Sequence, residues 1–138
     1  MADGGVKGGA KRDVDLCGKG HMTLIPVCAT CLTTAGATVT PVSNLQFSYR
    51  VMVRRVFACA ITAFGGTKEL TVTVSDGTTT YTLTSASDVK VASHTNGTTI
   101  LAANTDISIS AVLESGGAAS VTNIVVFFEQ MDEFNDPG

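Results

Sequence analysis

The chain contains no Trp, only two Tyr, three Pro and two His. With so few aromatic platforms it does not look like a sugar-binding module or a single-strand nucleic-acid binder, both of which stack their ligands on rings. Charged residues make up 15% of the chain, against about a quarter in an ordinary soluble domain. A net charge of −3 leaves no basic footprint for a phosphate backbone, so nucleic acid is not an expected partner. The apolar runs, such as Ile124 to Phe128, are short. None approaches the roughly 18 residues that cross a bilayer, and no membrane partner is expected. There is no Gly-x-Ser-x-Gly, no His-Glu-x-x-His and no phosphate-binding Gly-x-x-x-x-Gly-Lys-Ser/Thr, so an enzyme is not expected. The first residues lack the apolar stretch of a secretory signal. The chain is therefore expected to mature in a cytoplasm, where thiols stay reduced, and its four Cys are not read as a disulfide framework.

What is abundant points one way. Thr occurs 20 times, Val 16 times and Gly 14 times in 138 residues. Branching at Cβ suits a pleated strand better than a helix. No stretch carries a clean helical stripe, whereas short alternating runs recur between turn signals, the pattern of an all-β sandwich or barrel. The length allows one domain with one core.

Composition divides the chain into three zones. Residues 1–21 are rich in Gly and Lys with sparse apolar anchors, and read as an extended N-terminal arm. Residues 22–130 read as the β-sandwich domain. Residues 131–138 form an acidic C-terminal tail. Between residues 22 and 128 the bases Arg50, Arg54, Arg55, Lys68 and Lys90 balance the acids Glu69, Asp76, Asp88, Asp106 and Glu114. A neutral body with Thr and Ser as its polarity suits contact with other subunits.

Strands are expected at residues 22–28, confined to an edge or bulge by Pro26, and at 36–43. A long one is expected over 46–62, whose odd positions Phe47, Tyr49, Val51, Val53, Phe57, Cys59 and Ile61 form an apolar face broken at Arg55. Its length calls for a bend or bulge near Arg54 and Arg55. On that reading Cys59 is a core thiol. Leu70, Val72 and Val74, then Asp76-Gly77, then Thr79, Tyr81 and Leu83 make a hairpin over 70–84. The last strand is apolar on both faces from Ile124 to Phe128, so it is expected to be covered on both, centrally in the sandwich or at a subunit interface.

Two groups are candidates for a site. Cys17, His21, Cys28 and Cys31 carry ligand types suited to tetrahedral zinc. Against zinc, Cys28 follows strand-like Leu-Ile-Pro-Val, and residues three apart on a strand face opposite ways. The alternative is that Cys28 and Cys31 are small buried hydrophobes. Apart from that zinc no cofactor is expected. Arg50, Met52, Arg54 and Arg55 form the basic cluster of the body. Arg beside Met and apolar neighbours is typical of protein interfaces.

From residue 50 to 129 the rhythm is similar to a known group. Arg54-Arg55-Val56-Phe57-Ala58-Cys59-Ala60-Ile61 opens it. Leu70-Thr-Val-Thr-Val-Ser-Asp-Gly-Thr-Thr-Thr-Tyr81 follows, then Ile107-Ser-Ile-Ser-Ala-Val-Leu113, and Val121-Thr-Asn-Ile-Val-Val-Phe-Phe-Glu129 closes it. This resembles the small β-sandwich decoration (cement) proteins and related virion appendage modules of tailed bacteriophages. The resemblance implies a jelly-roll-like antiparallel β-sandwich with an extended N-terminal arm, a homotrimer, and a seat on the outside of an icosahedral head. Its partner there is the major capsid protein, and assembly takes place in the host cytoplasm. A tail or head-fibre component, or a carbohydrate-binding β-sandwich module, is the alternative.

Overall fold

The computed structural model describes residues 23–65, 68–84, 91–95 and 98–132. The arm expected over 1–21 and the tail from 133 onward lie outside the described residues. Within them the chain is all-β, with nine strands: β1 Leu24–Thr33, β2 Thr38–Leu45, β3 Val51–Ala60, β4 Leu70–Ser75, β5 Thr80–Thr84, β6 Val91–Thr95, β7 Ile100–Leu101, β8 Ile107–Leu113 and β9 Ser120–Gln130. Among the described residues no helix is long and apolar enough to cross a membrane.

The strands form two sheets, in the orders β1-β9-β3-β6 and β2-β8-β4-β5, with the short β7 paired to β3. Every strand pair is antiparallel. The chain crosses between sheets after β1, β2, β3, β5, β7 and β8, and among the described residues the neighbours joined by a hairpin are β4 and β5. Apart from the added β7, this is the strand order of an eight-stranded jelly roll.

Alternation builds the core. One sheet contributes Val51, Val53, Val56, Ala58, Ala60, Ile124, Val126 and Phe128. The other contributes Leu70, Val72, Val74, Tyr81, Leu83, Ile107, Ile109, Ala111 and Leu113. Each large apolar side chain removed from water contributes about 1.5–3 kcal/mol. Buried Thr33, Thr122 and Ser120 are paired. The Thr33 hydroxyl donates to Ser120 O at 2.9 Å, and the Ser120 hydroxyl accepts the Thr62 N–H at 2.8 Å.

The expected hairpin over 70–84 is present, with Ser75 paired to Thr80. Gly77 takes φ +91° at its tip, a conformation open to Gly at little cost. Pro26 lies on β1, an edge strand, as its missing N–H requires.

The long strand over 46–62 is shorter than expected. Residues 46–50 leave the ladder, and Phe47 instead lies against Tyr49 and Phe128, with ring centroids 5.8 and 5.3 Å apart. The bulge expected near the paired arginines is there, as a register shift between Val53 and Arg55. It has a further effect. A bulge inserts one residue and flips which parity faces the core. Val51 and Val53 point inward before it, and Val56, Ala58 and Ala60 point inward after it. Cys59 is therefore exposed rather than a core thiol.

Candidate interaction face

The bulge determines what the outer face of β1-β9-β3 displays. After it, Arg55, Phe57 and Cys59 turn outward, and Ile61 follows just beyond the strand. Register aligns these with the outward positions of β9 and β1. Arg55 lies beside Phe127 and Pro26, Phe57 beside Val125 and Cys28, and Cys59 beside Asn123 and Thr30. Leu32 lies opposite Val121, and the Ile61 N–H donates to Val121 O at 2.9 Å. Leu32, Val121 and Ile61 thus form one apolar row across β1, β9 and the end of β3.

Among the described residues the exposed large apolar side chains are Leu24, Leu32, Ile61 and Val121, at 54, 55, 65 and 40% exposure. All four lie on this face. Its polar interruption is Thr30, whose hydroxyl donates to Asn123 Oδ1 at 2.7 Å. At the other end a depression of about 230 Å³ is lined by Leu24, Phe127, Arg54 and Arg55.

The four residues of the basic cluster sit at this end in different environments. Arg50 precedes β3, and its Nη2 donates to Asp132 Oδ1 at 2.7 Å while its backbone N–H donates to Oδ2 at 2.9 Å. The hydrogen bond and then the charge of Asp132 push the Arg50 guanidinium further up. The same hydrogen bonds hold the Asp132 carboxyl below its ordinary value. Met52 is half-buried opposite Glu129. Arg54 Nε pairs with Glu129 Oε1 at 3.0 Å. Arg55 is exposed, and its guanidinium stands 5.2 Å from the Phe57 ring centroid. Val56, aligned by simple alternation with Arg50 and Arg54, is buried in the core because the bulge intervenes.

Of the four candidate zinc ligands, Cys17 and His21 lie outside the described residues. Cys28 and Cys31 occupy opposite faces of β1, Cys28 exposed and Cys31 buried. Burial pushes the Cys31 thiol up. Among the described residues, no three of His, Cys, Asp and Glu gather closely enough to hold a metal ion.

The outer face of β2-β8-β4-β5 is a different surface. Thr71 lies between Val112 and Thr84, Thr73 between Ser110 and Thr82, and Ser75 between Ser108 and Thr80. Hydroxyls fill eight of those nine positions.

Sequence reasoning did not single out Leu24, Leu32 and Val121, and it put Ile61 on the apolar face of the long strand, whereas Ile61 is exposed. A signal was present in β9, which is apolar on both sides. Only pairing to β1 and β3 turns that strip into a surface.

The tip of the β4–β5 hairpin carries Asp76, which is buried at 6% exposure. Its Oδ1 accepts the N–H groups of Thr79 and Thr78 at 2.6 and 2.9 Å, and its Oδ2 accepts that of Ala102 at 2.9 Å. Burial raises its pKa, but the hydrogen bonds from Thr79, Ala102 and Thr78 outweigh that and leave it below the ordinary value. The carboxylate is a structural clamp between the hairpin and the segment after β7.

No protein-family model matches the chain, and no curated protein matches it. Solved structures with a similar fold include a chain of the acid-stable capsid of Helicobacter pylori bacteriophage KHP30. It is 15% identical, with a TM-score of 0.49 over 80% of this chain and 93% of that one. Another is a chain of the Bacillus endospore appendages, described as a novel family of disulfide-linked pili. It is 13% identical, with a TM-score of 0.41 over 80% of this chain and 89% of that one. Neither likeness assigns a family or a function.

Proposed function

We propose that this chain is a structural virion protein, a decoration or cement protein. It binds the outside of an icosahedral phage head and reinforces contacts between major capsid subunits. The observation that carries this reading is the contrast between the two outer faces. One presents a mostly apolar surface, interrupted at Thr30 and Asn123 and charged at one end by Arg54, Arg55 and Glu129, suited to being covered. The other presents hydroxyls, suited to water. The neutral body adds no long-range repulsion between crowded copies.

The mechanism is physical and calls on no cofactor and no catalytic group. Each copy adds contact area across a joint, and many symmetric copies, as homotrimers, multiply a modest contact energy through avidity. The Gly/Lys-rich arm over 1–21 reaches a neighbouring surface. A tail or head-fibre component is the nearest alternative within the same structural class. A carbohydrate-binding module fits less well, because Tyr81 is buried and Tyr49 is half-buried beside Phe47, leaving neither ring as an open stacking platform.

The test is co-sedimentation of the full chain with phage heads stripped of it. Saturable binding that stabilises the heads against heat is expected, and removal of residues 1–21 should leave a folded protein that binds weakly. Absence of binding by the full chain would sink this reading.

A further inference from the structure

We infer that the outer face of β1, β9 and β3 is covered by a second copy of this chain. The inference deepens the proposed function and rests on its claim that the protein works in multiple copies.

Area is the first support. β1 and β3 have ten residues each and β9 has eleven. Three strands about 4.8 Å apart, with a rise of about 3.3 Å per residue, present roughly 14 by 33 Å, or about 480 Å². The five residues of β6 add about 80 Å² on the same geometry. Two β1-β9-β3 faces bury about 960 Å² together, and about 1,100 Å² with β6, which matches the roughly 1,000 Å² that a specific interface needs. A flat footprint understates accessible area, so the area buried is larger than these figures.

Charge is the second. Glu129 neutralises Arg54 within the face. Arg55 is held over Phe57, where the ring offsets part of its desolvation. Among the described residues Arg55 is then the one cation on each face without an acid beside it, so two copies meet with little charge to oppose them.

Shape is the third. A right-handed twisted sheet packs on another sheet of the same twist at about 30° and about 10 Å. A second copy offers an identical twist. Leu24, Leu32, Ile61 and Val121 supply the side chains that fill the layer, as Val126 and Phe128 do on the inner side of β9.

Cys28 and Cys59 both lie on this face and are exposed in the single chain. They report on its coverage without any change to the protein. The experiment measures mass by light scattering over a dilution series. In parallel it measures maleimide labelling of Cys28 and Cys59, resolved by peptide mass spectrometry. A mass that is a multiple of the chain at high concentration is expected. Labelling there should be about tenfold slower, as for thiols withdrawn from solvent. The double variant Ile61→Asp/Val121→Asp alters exposed positions only. It should keep the thermal melt, stay monomeric and label fast at every concentration. Thr73→Asp/Thr82→Asp on the hydroxyl face should keep the wild-type mass.

A wild-type chain that is monomeric throughout overturns the inference, and so does an apolar-face variant that keeps the multiple mass. If the monomer's two thiols become protected only when stripped phage heads are added, the head covers the face; the inference then fails while the proposed function stands. An oligomer that never binds heads has the opposite meaning.

Discussion

The outer faces of the two sheets grow from one sandwich and one alternation rule, yet they share almost no chemistry. On β1-β9-β3 the outward positions include Leu24, Pro26, Leu32, Phe57, Ile61, Val121, Val125 and Phe127. On β8-β4-β5 they are Ser108, Ser110, Thr71, Thr73, Ser75, Thr80, Thr82 and Thr84, with Val112 at one end. β-Branched Thr keeps a strand extended without asking to be buried. Leu, Ile and Phe supply a strand that does ask. The difference separates two demands usually met together: holding a sheet in shape, and giving that sheet something to contact. The hydroxyl face meets the first demand alone, and the apolar face meets both.

The largest effects lie on the inner side of the apolar sheet, where neighbouring rings of β9 separate core from surface. Phe128→Ala should cost about 3–5 kcal/mol in urea unfolding, because the ring is fully buried. Phe127→Ala, one residue away on the outer face, should cost no more than about 1.5 kcal/mol in the dilute monomer while weakening association. Equal losses at both sites would mean the outer face is already packed within one chain.

Asp76→Ala comes next. It removes the acceptor for three backbone N–H groups, and the expected loss is roughly 2–4 kcal/mol. The carboxyl has a lower pKa folded than unfolded, so its stabilisation is present above the unfolded value near 3.8 and is lost as pH falls below it. Wild type should therefore lose stability in acid more steeply than Asp76→Ala. Parallel acid titrations of the two would remove the clamp from the account.

The smallest effect belongs to the hydroxyl face. Thr73→Val/Thr82→Val should change monomer stability by less than about 1 kcal/mol, since both positions look outward. The same change should make the two faces alike and reduce solubility, measured as the concentration at which the chain precipitates.

Much of the fold is legible along the chain. The alternation of Leu70, Val72 and Val74 against Thr71 and Thr73 is local, and so is the turn chemistry of Asp76-Gly77. The hairpin and its buried Tyr81 and Leu83 follow from them. The adjacent Arg54 and Arg55 mark the bulge, because two large cations in a row cannot share an alternating strand without one facing the core. The parity change beyond it is less visible. Phe57, Cys59 and Ile61 continue the odd-numbered apolar series, and only the register against β9 shows that they have turned outward. The Arg50–Asp132 pair spans 82 positions, so no local rule predicts it.

By itself the sequence determined an all-β chain, its best hairpin, a neutral body and the place of the bulge. Each depends on neighbours within a few residues, through side-chain branching, alternation and turn conformation. The tertiary structure alone decided that Leu32, Val121 and Ile61 lie in one row, that Cys28 and Cys59 share a surface, and that Asp76 ties the hairpin tip to Ala102. Those relations join segments far apart in the chain, and hydrogen-bond register between strands is the physical link that brings them together.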